Sequence, residues 1–173
     1  MQTITVSVVI LEDEAFGAAA QIVDRRINMN IQWKYKIELA DANVFTEIEN
    51  ERHISFPNEL KELIIEANAA TPEKYNFMVG SVEKVLGAIL SFNRNESDTD
   101  SAFVALSVIS DTNLVPFGID PFGNYICYSL KDKSVVFWDH ETNDISVVSS
   151  TFLHSLNLYT KQKNNLDFTL IAE

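Results

Sequence analysis

The chain has one cysteine, few basic residues and no long apolar run, and each shortage closes off a class of protein. A single cysteine, Cys127, cannot form an internal disulfide, which excludes a disulfide-stapled scaffold and fits a reducing compartment. Cys127 sits in the apolar stretch Tyr125–Tyr128, the setting of a core thiol; a catalytic thiol needs a neighbouring base and an exposed, electropositive surrounding. No window approaches the ~18 uninterrupted apolar residues of a membrane span. The apolar run Ile4–Leu11 is short, has no Lys or Arg before it and is followed by Glu12, Asp13 and Glu14. A secretory signal has a basic start and a longer apolar stretch, so the expectation is a cytoplasmic protein. Lys and Arg number 13 against 25 Asp and Glu, a net charge of −12. Phosphate backbones and anionic lipid both require Lys/Arg patches, so neither nucleic acid nor a membrane surface is an expected partner. The same field attracts a basic protein, although solubility alone also accounts for such a charge. None of G-x-x-x-x-G-K-[ST], G-x-G-x-x-G, C-x-x-C, H-E-x-x-H or G-x-S-x-G occurs, which removes the commonest nucleotide, zinc and hydrolase signatures.

What is present is enough for one core. With 173 residues, 46% of them hydrophobic and 22% charged, the chain has roughly the length and composition of a single globular domain. Residues 1–30 read as a strand-like piece, Thr3–Ile10, and a short helix through Ala18–Arg25, an extension of uncertain structure. The domain proper spans 31–160, and 161–173 is a tail without period. Asp41 can cap a helix to about Arg52, with Val44, Phe45 and Ile48 inward and Glu47, Glu49 and Glu51 outward. Pro57 suits the first turn of a second helix carrying Leu60, Leu63 and Ile64 and ending near Asn68. Thr71-Pro72 lies in a loop, and Ser81 is expected to cap a helix Val82–Leu90 whose face is Val82, Val85, Leu86 and Ile89. Residues 93–100 are polar loop, and Ala102–Ile109 is a short helix unless its β-branched residues make it a strand. Four short β-rich runs follow: Val115–Ile119, Tyr125–Leu130, Val135–Asp139 and Ile145–Ser149. Their breaks are three to five residues long, and parallel strands need a crossover of a dozen or more, so these are sequential antiparallel hairpins. Thr151 can cap a closing helix through Tyr159, with Phe152, Leu153 and Leu156 inward. Helices, a meander and a last helix make an α+β fold.

The run Leu114-Val115-Pro116-Phe117-Gly118-Ile119-Asp120-Pro121-Phe122-Gly123-Asn124-Tyr125-Ile126-Cys127-Tyr128 resembles the SUKH superfamily, the family of the yeast cell-wall-assembly regulator. The likeness continues through Val135–Glu141 and Thr151-Phe152-Leu153, and upstream through Trp33-Lys34-Tyr35, Phe56-Pro57 and Leu90-Ser91-Phe92-Asn93, covering about residues 31–160. One segment departs from the pattern. Family members usually place glycine after the Asn that closes the second helix, whereas this chain has Asn68-Ala69-Ala70-Thr71-Pro72. The resemblance implies helices packed on a curved antiparallel sheet, no enzymatic activity and no cofactor. It also implies an immunity protein that neutralises a nuclease- or deaminase-type toxin by direct binding. The alternative is a regulatory protein-interaction module of the cell-wall-regulator type.

Few residues invite chemistry. Asp139-His140-Glu141 looks like a metal or acid–base group, but neighbouring strand side chains point to opposite faces and cannot converge on one ion. His53 and His154 lie in other segments, so no metal site is expected, and His140 is expected to end a strand and bond locally. Asp120-Pro121-Phe122-Gly123-Asn124 has the residue types of a turn: Asp bonds N–H groups two residues on, Pro presets φ, and Gly tolerates positive φ. Trp33 and Trp138 are core or edge-of-core; Trp138, if exposed beside Asp139, would make a binding anchor. The candidate partner-binding residues are therefore Asp120, Trp138, Asp139 and Glu141. The expected partner is a basic protein; the oligomeric state stays open, a homodimer included, because an exposed Thr3–Ile10 strand would offer an edge to another chain.

Overall fold

The computed structural model describes residues 31–73, 75–94 and 100–152, together with the strand pairs Ile4–Thr5 (β1) and Arg26–Ile27 (β2). The chain divides into two units, Met1–Asn30 and Ile31–Glu173. In the first, β1 pairs antiparallel with β2, Ile4 opposite Ile27. The expected helix Ala18–Arg25, the closing helix beyond Phe152 and the tail 161–173 lie outside the described residues.

The second unit opens with β3 (Trp33–Lys34), and α1 (Asn43–Arg52) follows. Asp41 Oδ1 accepts the Asn43 N–H at 2.9 Å, satisfying one of the N–H groups that a helix start leaves without a partner. Val44, Phe45 and Ile48 are buried, as their spacing requires. Glu49 departs from the expected outer face: its Oε1 accepts the Phe56 N–H at 2.8 Å and Lys61 Nζ at 2.9 Å. Those bonds tie α1 to the start of α2 (Asn58–Ala67), which buries Leu60, Leu63, Ile64 and Ala67. Phe56 meets Phe45 and Phe92 at ring separations of 5.1 and 6.0 Å, so the aromatic residues on either side of α2 share one nucleus.

After α2 the chain turns sharply. Asn68 has φ −55° and ψ 128°, Ala69 has φ 55°, and the Ala70 N–H reaches the Ala67 carbonyl at 3.1 Å, the pattern of a type II turn. The buried Asn68 side chain accepts the Phe92 N–H at 2.8 Å and donates to the Ile37 carbonyl at 3.2 Å. Thr71-Pro72, expected as loop, forms a short strand (β4) on β3, Trp33 opposite Pro72.

The helix expected over Val82–Leu90 is absent. β5 (Asn76–Val79) and β6 (Val82–Val85) form a hairpin, and Ala88–Ile89 is a short strand, β7. Ser81 is thus a turn residue rather than a helix cap. Gly80, at φ 59°, takes the first central position of a two-residue turn, a conformation glycine adopts without strain. The apolar spacing of Val82, Val85, Leu86 and Ile89 satisfies a helix, but Leu86 N–H bonds to Tyr75 and Gly87 N–H to Ile119, both at 2.8 Å. Tertiary pairing prevails over local period here.

Ala102–Val108 is a helix, α3, with Ser101 Oγ accepting the Phe103 N–H at 3.2 Å. β8 (Leu114–Ile119), β9 (Tyr125–Ser129), β10 (Ser134–Trp138) and β11 (Ile145–Ser149) form the expected antiparallel meander, and β7 adds to β8 to give the order β11-β10-β9-β8-β7. One face carries Leu114, Cys127, Val136 and Trp138, packed with Ile109. On the other, Tyr128 donates its hydroxyl to Glu59 Oε1 of α2 at 3.0 Å, Phe117 and Tyr128 meet Phe152 at 5.6 and 5.8 Å, and Phe137 meets Phe77 of β5 at 6.1 Å. A sheet covered on both faces explains why β8 and the Val135–Trp138 part of β10 are unbroken apolar runs, whereas β11, at the edge, alternates. The fold is α+β. Cys127 is wholly buried, and burial pushes its thiol well above the ordinary range.

Candidate functional site

Two turns emerge side by side at one end of the sheet: Asp120–Asn124 between β8 and β9, and Asp139–Asp144 between β10 and β11. In the first, Asp120 is buried. Its Oδ1 accepts the N–H groups of Phe122 and Asn124, both at 2.8 Å, and Oδ2 accepts Asn124 Nδ2 at 2.9 Å. The backbone closes the loop through Gly123 N–H to Asp120 O at 3.2 Å, with Gly123 at φ 88°. The carboxylate therefore replaces several solvent bonds with internal ones, which favour this turn conformation.

Asn124 joins this turn to the second. Because its amide nitrogen donates to Asp120, its Oδ1 is left to accept, and it takes the His140 N–H at 3.1 Å and lies 2.9 Å from His140 Nδ1. An amide oxygen only accepts, so Nδ1 carries the proton. Asp139 then organises the rest: Oδ1 accepts the N–H groups of Glu141 and Thr142 at 2.9 and 3.1 Å. The Thr142 and Glu141 bonds hold this carboxyl below the usual carboxylate range. Asn143 turns at φ 62° and donates to the Asp139 carbonyl at 2.8 Å.

The four residues singled out from sequence do not present one surface. Asp120 is buried beneath its turn, and Trp138 is buried at 6% exposure, its ring stacked on Tyr125 at 5.8 Å and 26°. The condition for Trp138 to be an anchor, exposure, is not met. Asp139 is half-buried and Glu141 exposed, so these two present carboxylates to solvent. His140 bonds locally, to Asn124. His53 instead ends α1, in the left-handed region at φ 56°, and His154 lies outside the described residues. Among the described residues no group of three or more His, Cys, Asp or Glu could hold a metal ion. The sequence reading passed over Phe122, which is 75% exposed at the tip of the first turn. The available signal was its position: Pro121, Gly123 and Asn124 each have turn work, and a phenyl ring has none.

Neither turn contains Lys or Arg, while Asp139, Glu141 and Asp144 cluster in the second; Lys131 and Lys133 stand in the β9–β10 turn, which a meander places at the opposite end. No described helix is long and apolar enough to cross a membrane.

The layered helices, the meander and the pair of interlocked turns define an α+β domain with an ordered, acidic loop end. The sequence model of the SMI1 / KNR4 family (SUKH-1) matches residues 39–157, well over half of the chain, and the chain belongs to that family. Members are generally non-catalytic, and membership supports a protein-interaction or immunity-type role. No curated protein matches the chain significantly.

Proposed function

We propose that this chain is an immunity protein that neutralises a basic toxin domain, of nuclease or deaminase type, by direct binding in the cytoplasm. The observation that carries the reading is the acidic turn Asp139–Asp144, tied to the neighbouring turn through Asn124 and His140 at one end of the sheet, on a chain with a net charge of −12. Carboxylates held in a fixed geometry imitate the phosphates of a nucleic-acid substrate, and an acidic field steers a basic groove toward them. Asp139 and Glu141 supply charge at the contact. Asp120 and Trp138 act from beneath, one fixing the first turn and the other supporting the strand that leads into the second.

The test is co-expression with the toxin domain encoded beside this gene. Protection of the host and a one-to-one complex on a sizing column are expected. No protection and no complex would sink the reading and favour a regulatory module that binds an endogenous partner, as in the cell-wall-regulator alternative.

A further inference from the structure

Phe122 is an exposed apolar ring on a turn whose backbone is fixed. It is 75% exposed, and among the described residues no aromatic ring packs on it. Its N–H is fixed on Asp120 Oδ1, the preceding proline restricts the chain, and the turn is tied to its neighbour through Asn124 and His140. A large apolar ring displayed on a rigid turn gives up little conformational freedom on binding, which is the economy that makes aromatic anchors effective. Next to it lies the turn with Asp139, Glu141 and Asp144; a Cβ added at Gly123 would lie 3.8 Å from His140 Cε1, so the two turns touch.

We infer that Phe122 is the anchor of the binding surface. It inserts into an apolar pocket on a partner protein, and the rim of that pocket carries Lys or Arg facing Asp139, Glu141 and Asp144. This rests on the proposed function and adds the contact residue and the shape of the partner site. Charge decides the occupant. A second copy of this chain would set acidic turn against acidic turn with no Lys or Arg in either, whereas a basic rim is complementary.

The experiment measures binding of the toxin domain encoded beside the gene to the full chain and to the variants Phe122→Ser, Phe122→Tyr and Glu141→Lys. Thermal midpoints are recorded alongside, and Phe122→Ser is expected to match the parent because the ring is exposed. Its Kd is expected to rise at least about 100-fold, the size of loss seen when an aromatic hot spot is removed, with the salt dependence of binding unchanged. Phe122→Tyr keeps most of the affinity, which shows that the ring is what matters. Glu141→Lys lowers the salt dependence. If the parent binds and protects but Phe122→Ser binds as tightly, the anchor is overturned and the immunity reading stands. A parent that neither binds nor protects overturns both. Loss of self-association in Phe122→Ser, with toxin binding intact, assigns the ring to a second copy and also overturns the anchor.

Discussion

Ala69 sits where a type II turn calls for a residue with positive φ, and it adopts φ 55°. An L-residue there brings its Cβ against the carbonyl, at about 1–2 kcal/mol. Glycine removes that strain but gives back about 0.4–1 kcal/mol through the greater freedom of the unfolded chain. Ala69→Gly is therefore expected to stabilise the protein by about 0.5–1 kcal/mol, measured as a higher urea midpoint with an unchanged slope. A lower midpoint would mean that the turn is not strained. The sequence shows this site, because the family pattern has glycine and this chain does not. Tyr128 was not visible in the same way, since its partner Glu59 is far away in sequence. Burial first, and then the Glu59 charge and hydrogen bond, push the phenol up to about 12 from 10.0. A raised pKa means that the neutral phenol stabilises the native state below about pH 10, and that this contribution disappears as pH rises toward 12. Stability between pH 10 and 12 should accordingly fall more steeply in the parent than in Tyr128→Phe, as equilibrium denaturation at each pH will show.

Elements were legible where local signals and tertiary demand agreed. Asp41 and Pro57 mark the starts of α1 and α2, and the short breaks between apolar runs could only be hairpins, so the meander was readable in order. The β5–β6 hairpin was not, because Val82, Val85, Leu86 and Ile89 fit a helical face as well as they fit strands. The deciding signal was Val79-Gly80-Ser81-Val82, a Gly-Ser pair between apolar residues, which is itself a hairpin signature. The role of Arg52 was illegible for a different reason: its partners are carbonyls, which a sequence does not distinguish. Its guanidinium donates to Leu106 O at 2.7 Å, Ile109 O at 3.2 Å and Asp111 O at 3.4 Å, closing the C-terminal end of α3 from α1. A cation there also opposes the helix dipole. Arg52→Met keeps most of the stem but removes these bonds and is expected to cost about 2–4 kcal/mol, given about 1.5–3 kcal/mol for a hydrogen bond to a charged group and incomplete rescue by water. Faster amide exchange at Ile109, whose N–H bonds to Ala105 O, would place the damage in α3. Arg52→Lys should recover little, since an ammonium lacks the planar fork; full recovery would show that charge alone suffices.

For the whole molecule, the distribution of charge matters more than its sum. A net charge of −12 is compatible with plain solubility, which is why the sequence excluded partners more readily than it named one. The β10–β11 turn carries Asp139, Glu141 and Asp144 with no Lys or Arg, whereas the β9–β10 turn at the other end carries Lys131 and Lys133 beside Asp132, so these turns make the sheet polar along its strands. That polarity should orient an approaching basic partner before contact. Steering of this kind acts over distances comparable to the Debye length, about 10 Å at 0.1 M salt and about 3 Å at 1 M. On the proposed function, the association rate with the proposed toxin partner should therefore drop at least about tenfold between 0.05 and 0.5 M salt, while the dissociation rate changes little, because steering belongs to the encounter and the proposed anchor contact to the bound state. Stopped-flow mixing across a salt series measures both. Glu141→Lys should flatten the dependence of the association rate, and Lys131→Glu, at the far end of the sheet, should leave it close to the parent. If both variants shift it equally, the encounter responds only to net charge, and the acidic end has no directing role.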